Sequence, residues 1–211
     1  MTETSPKAKR QVVRQTALER EQRQRTLRIA AVVIGIVVVL GGLIFWVANE
    51  TIKGQTEWAI RPTAHPNEQV IADEGSGHLE NGQPLSYQHF PPSSGTHYNE
   101  PANVGFYEQP VSEGNWLHSL EHGNVVALYN CEATDDCEAL KSQVRNFVNS
   151  APTHGCEKSR LLGVAYSRGM STPISLVAWG IQLDLPAYDG DAMLNFYKRY
   201  ENRGPEQVGC P

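Results

Sequence analysis

Two regimes of hydrophobic patterning divide the chain. The first is one unbroken apolar run over residues 29–48, IAAVVIGIVVVLGGLIFWVA, with no charge, Asn or Gln. At about 1.5 Å of rise per residue, a helix of that length covers roughly 30 Å, the hydrocarbon thickness of a bilayer. A soluble core helix of this length seldom lacks a polar residue. Trp46 lies toward the far end, where an amphipathic indole favours the membrane interface. The run predicts a single transmembrane helix.

Beyond it the apolar positions become short and periodic. Residues 49–84 hold Thr, Pro, Gly, Asn and charges with little periodicity. This stretch reads as a stalk passing into irregular loops. Residues 87–99, YQHFPPSSGTHYN, read as a loop, because Pro91 and Pro92 fix φ and Gly95 permits a turn. Residues 124–129 (NVVALY) are short, β-branched and apolar, which predicts a buried strand. A helix follows, with Asp135 as expected N-cap and Glu138 completing a capping box. Its Leu140, Val144, Phe147 and Val148 fall on one face. Residues 161–166 and 174–179 predict two more strands. Asp189 is expected to cap a last helix with Met193, Phe196, Tyr197 and Tyr200 inside. The expected fold is an α+β domain over residues 85–211, in the order β-α-β-β-α after a loop-rich lead-in.

Charge adds an orientation. Residues 1–28 carry a net +5 and residues 29–211 a net −10. Positive flanks stay in the cytoplasm, so residues 1–28 are expected to be a basic cytoplasmic stub and the C-terminus to lie outside. The run is too long for the apolar core of a cleaved signal peptide, and Val47-Ala48-Asn49 is a poor cleavage site. An uncleaved signal-anchor in the cell membrane, single-pass, is the expectation. The acidic outer domain argues against nucleic acid as a partner, since phosphate binding needs a basic face. No protein partner can be read from the chain.

All four cysteines, Cys131, Cys137, Cys156 and Cys210, fall on the expected outer side, where oxidation is favoured. No Cys-x-x-Cys pair suggests a zinc knuckle. Three pairings exist for four cysteines. Cys131 and Cys137 are close enough in sequence to meet across one turn, which leaves Cys156 for Cys210. Cys131 and Cys137 also bracket a strand-to-helix join, where a helix N-terminus lowers a thiol pKa. Their spacing favours a static disulfide over a redox pair.

The segment Trp116-Leu117-His118-Ser119-Leu120-Glu121-His122-Gly123 carries the densest chemistry. His118 and His122 share a helical face, in the His-x-x-Glu-His arrangement of inverted zinc proteases. A protease wants a sustained helix, and Gly123 with the strand behind it ends this one at once. No nucleophile–base pair or phosphate loop is legible, so binding is expected ahead of catalysis. With His97 from the upstream turn, His97, His118, Glu121 and His122 make a set that suits a transition metal, copper or zinc. The competing reading is a metal-free network bracing loop backbone, as buried polar groups require partners. A metal-dependent or thiol–disulfide enzyme comes third. His65, His78, His89 and His154 are expected in loops, facing solvent. Met170 offers a thioether for copper, although a lone Met more often packs in a core.

The motifs PPSSGTHY, GFYEQPV, LHSLEHGNVVALY, ISLVAWG and a closing RGPE together resemble a bacterial family catalogued as domain of unknown function 3105. The resemblance runs over roughly residues 55–206 and is carried above all by Ser94-Gly95-Thr96-His97 with the His118–Gly123 segment. It implies an N-terminal membrane anchor and supplies no activity. Cys131, Cys137 and Cys210 stand outside the resembling motifs.

Overall fold

The computed structural model describes residues 23–28, 31–48 and 62–211. Most of the basic stub, and residues 49–61 of the expected stalk, lie outside the described residues. The chain divides into two compact units, Met1–Ala59 and Ile60–Pro211. In the first, helix α1 (Arg23–Ala48) is long and apolar enough to cross a membrane. Its described apolar side chains are exposed.

The second unit is a mixed α/β domain. In chain order it contains β1 (Glu68–Val70), β2 (His78–Leu79), β3 (His97–Tyr98), β4 (Gly105–Tyr107), α2 (Glu113–Glu121), β5 (Val125–Tyr129), a 3-10 turn at Cys131–Ala133, α3 (Cys137–Ser150), β6 (Leu161–Ala165), β7 (Ile174–Ala178), β8 (Ile181–Leu185) and α4 (Gly190–Tyr200). Six strands form one sheet in the order β1-β8-β7-β5-β6-β4, and β2 pairs with β3 in a separate two-stranded ribbon. Strands β5 and β6 run parallel, which needs a crossover, and α3 supplies it. Strand β7 is antiparallel to both β5 and β8, and the two residues Trp179 and Gly180 suffice to turn the chain from β7 into β8.

The strands at the centre are buried on both faces, which explains their continuous apolar runs. Val126, Leu128, Leu162, Val164 and Val177 cluster with Trp116, Leu117 and Leu120 of α2. Successive strand residues point to opposite faces. The other face, at Gly163, meets Val144 and Val148 of α3. Helix α2 is therefore pinned to the sheet by its apolar side, and its polar side is turned toward β3.

Several sequence expectations change. The stretch expected as stalk and loops contains β1 and β2, because their short runs acquire stability only through ladders to β8 and β3. Strands β4 and β8 and helix α2 extend the expected β-α-β-β-α order. The α3 cap is Asp136, which accepts from Ala139 N at 2.9 Å, and not Asp135. Glu138 pairs with Lys141 at 2.8 Å and closes no capping box. Asp189 caps α4 as expected, accepting from Asp191 N and Ala192 N. Each such cap contributes about 1 kcal/mol.

The sulfurs of Cys131–Cys137 and of Cys156–Cys210 lie at bonding distance, with Cα separations of 4.9 and 5.5 Å. Met170 packs against the hydrophobic cluster.

Candidate metal centre

Three backbone segments converge to build the site. The first two form the β2–β3 ribbon, whose register sets His78 opposite His97. Partnered residues on neighbouring strands project to the same side, with their strands about 4.8 Å apart. The loop before His97 is stitched to the segment before His78: Gly95 N donates to Gly75 O at 2.7 Å and His97 N to Gly77 O at 2.7 Å. Glu74 N donates to Ser94 Oγ at 2.8 Å, and the Tyr87 hydroxyl donates to Thr96 O at 2.8 Å. Burial raises the Tyr87 pKa well above the phenol range, with nearby Glu113 adding to it, so this donor stays protonated.

The third segment is α2. Leu117 and Leu120 bury against the sheet, and His118, Glu121 and His122 occupy the adjoining helical side. The helix then stops within one residue. Gly123 takes φ +78°, Gly123 N donates to Leu120 O at 2.9 Å and Asn124 N to Ser119 O at 2.9 Å. This is the paired closure of a Schellman ending, which a left-handed residue makes available.

His97 is wholly buried, and His118 and Glu121 are each 6 % exposed. His97 Nδ1 lies 2.9 Å from Gly95 O, and His118 Nδ1 lies 2.7 Å from Tyr98 O. A carbonyl only accepts, so both Nδ1 atoms carry hydrogen. In the neutral rings each Nε2 therefore presents a lone pair. Those lone pairs point inward. His97 Nε2 is 3.1 Å from His78 Nε2 and 3.0 Å from Glu121 Oε2, and His78 Nε2 is 3.4 Å from Glu121 Oε2. The ligand atoms of His78, His97, His118 and Glu121 all fall within 4.8 Å of one another. Burial pushes the His118 pKa below its ordinary value, with His122, His97 and His78 acting in the same direction. The Tyr98 carbonyl opposes the shift in part.

A second group adjoins the first. His118 Nε2 lies 3.0 Å from His122 Nε2, and His122 Nε2 lies 3.1 Å from Glu206 Oε2. The ligand atoms of these three residues also all lie within 4.8 Å of one another.

The expected set of His97, His118, Glu121 and His122 is thus redistributed. His97, His118 and Glu121 face a common point together with His78, which is exposed as expected but stands on strand β2 and not in a loop. His122 flanks that point and faces Glu206 instead. His78 and Glu206 are the residues that sequence reasoning missed. A signal existed for each. Gly77-His78-Leu79 echoes the glycine-rich turn, His and apolar residue of Gly95-Thr96-His97-Tyr98, and Glu206 closes the RGPE motif. Of the other loop histidines, His89 bonds Gln182 Oε1 at 2.8 Å and His154 pairs with Glu201.

A mixed α/β domain presenting a buried histidine–carboxylate cluster, on a chain with one helix suited to crossing a membrane, defines the class of the protein. The chain belongs to the family described as protein of unknown function (DUF3105), whose model matches residues 78–211. No curated protein and no solved structure matches the chain.

Proposed function

We propose that the protein is a single-pass membrane-anchored domain, N-terminus in the cytoplasm and residues 85–211 outside, that binds a divalent transition ion, copper or zinc. The observation that carries the metal reading is the triangle of His78 Nε2, His97 Nε2 and Glu121 Oε2, with edges of 3.1, 3.0 and 3.4 Å. The corners of such a triangle lie about 1.8 Å from its centre, so an ion about 1 Å off the plane meets all three at the 2.0–2.2 Å bond lengths of imidazole and carboxylate ligands. A ring nitrogen of His118 lies within 4.8 Å of all three of these atoms. The backbone bonds to His97 Nδ1 and His118 Nδ1 supply the outer support that orients metal-binding imidazoles. Nitrogen and oxygen donors without thiolate suit the divalent ions. The orientation rests on the basic flank, and two disulfide-distance pairs accord with an oxidising compartment.

The metal-free reading also has an observation behind it: His97 Nε2 and Glu121 Oε2 lie at hydrogen-bond distance, 3.0 Å. One experiment separates the two. The full chain is purified in detergent, stripped with chelator, exposed to zinc or copper(II), desalted and assayed by elemental analysis. Metal retained by the wild type, and lost in His97→Ala and Glu121→Gln with unchanged circular dichroism, supports binding. No retained metal in the wild type refutes it and leaves the bracing network.

A further inference from the structure

The two adjoining groups together offer six ligand side chains, more than one ion of this size takes from a protein while keeping an open position. Their division turns on His118. Its Nδ1 is committed to Tyr98 O, so Nε2 has one lone pair and serves one ion only. It is a member of both geometric groups. When His118 Nε2 is assigned outward, the six atoms separate into two sets of the same composition. His78, His97 and Glu121 form one His-His-carboxylate set, and His118, His122 and Glu206 form the other.

The outer set is awkward without a cation. His122 Nε2 lies 3.0 Å from His118 Nε2 and 3.1 Å from Glu206 Oε2. A neutral His122 bearing hydrogen on Nε2 can donate along one of these directions. An ion bonded to all three atoms satisfies both contacts at once.

Glu206 is also delivered to this position by a built device. The backbone of Asn202 donates to Gly123 O at 2.7 Å, and that of Glu206 donates to Glu121 O at 3.1 Å. Between them Gly204 presses on the end of α2 so closely that a Cβ would overlap Glu121 O. The buried Arg160 guanidinium then bridges His122 O to Val208 O and Gly209 O, and Cys210 is tied to Cys156. The C-terminal segment is thus fastened on both sides of Glu206, directly over His122.

We infer that the centre takes two divalent transition ions, the second held by His118, His122 and Glu206, with the C-terminal segment contributing the carboxylate. This rests on the metal reading above. Two carboxylates, Glu121 and Glu206, then offset part of the charge of two ions, one in each set. The outer set is the more open, since the side chain of Glu206 is 55 % exposed and that of His122 20 % exposed.

The stripped full-length chain in detergent is titrated with zinc, desalted and assayed for metal per chain. A copper(II)-loaded sample is examined by electron paramagnetic resonance. The expected result is two ions per wild-type chain, with a spin-coupled copper signal. Glu206→Gln and His122→Ala should each retain one ion and show an uncoupled signal. One ion in both the wild type and Glu206→Gln overturns the second site and leaves the inner one standing. No ion in the wild type overturns both. Loss of both ions in Glu206→Gln, with circular dichroism unchanged, also overturns the division into two sets.

Discussion

His78 and His97 are register partners on adjacent parallel strands, and their Nε2 atoms meet at 3.1 Å. The ribbon that pairs them is two residues wide on each strand. A ladder so short does not hold two imidazoles together by itself. It persists because the turns on either side are stitched by backbone bonds and because Tyr98 and Leu85 pack against Gly114 of α2.

From this pairing follows the weight of His78. Although its side chain is 43 % exposed, it supplies one corner of the ligand triangle. His78→Ala should weaken zinc binding at least as much as removing an outer-shell partner does, about 10–100-fold. Competition against a chromophoric chelator measures this. An unchanged affinity would remove His78 from the site.

Acid should destabilise the metal-free domain through His118. Its folded pKa lies below its unfolded value of about 6.5, because burial disfavours the charged ring. As pH falls below that value, the unfolded chain takes up the proton first, so stability declines with falling pH. Above about 6.5 both states are neutral there and the contribution is fully present. Urea midpoints in chelator at pH 7.5 and 5.5 should diverge for the wild type and diverge less for His118→Gln. Equal divergence in the two proteins would show that His118 is not the group responsible.

The fastening of the C-terminal segment predicts a sharp cost for one methyl group. A Cβ on residue 204 meets backbone, the carbonyl of Glu121 and the amide of Gly123, and neither can rotate away. Gly204→Ala should lose at least about 1–3 kcal/mol, the range for overpacking. Gly209→Ala, with open space around its Cβ, is the control and should be near neutral. Thermal denaturation of the two variants tests the contrast.

The two cysteine pairs should differ in what they contribute. Their sequence separations are 6 for Cys131–Cys137 and 54 for Cys156–Cys210. Chain entropy then assigns about 2 kcal/mol to the first and about 4 kcal/mol to the second. Denaturant unfolding of Cys131→Ser/Cys137→Ser and Cys156→Ser/Cys210→Ser chains should rank in that order. Four reactive thiols in the unfolded, unreduced wild type would refute both pairs.

Topology is open to a direct test. The proposal that the C-terminal domain lies outside rests on the net +5 of residues 1–28 beside the apolar run at 29–48. A phosphatase reporter fused after Pro211 should be active, and a cytoplasmic reporter at the same point silent. The reverse pattern, or a mature chain beginning near Asn49, would contradict the anchor.

Local pattern alone determined a good deal of this protein. An unbroken apolar run marks a helix suited to crossing a membrane, and the helical spacing of Leu140, Val144, Phe147 and Val148 and the β-branched run before Tyr129 each report burial directly, because period and hydrophobicity encode which face leaves water. The pairing of His118 with Glu121 was equally legible, since residues three apart on a helix share a side wherever the helix lies. The edge strands β1 and β4 were not, because three residues carry no period and gain their order from a neighbour's ladder. His78 is exposed, as its sequence suggests, and only its partner strand sets it beside His97. Glu206 lies 84 residues from His122 in sequence. Its place is decided by Gly204, Arg160 and Cys210 acting on a segment with no regular structure. The chemical character of the site is local and can be read along the chain. Its membership is a matter of long-range contact, and only the tertiary structure decided that.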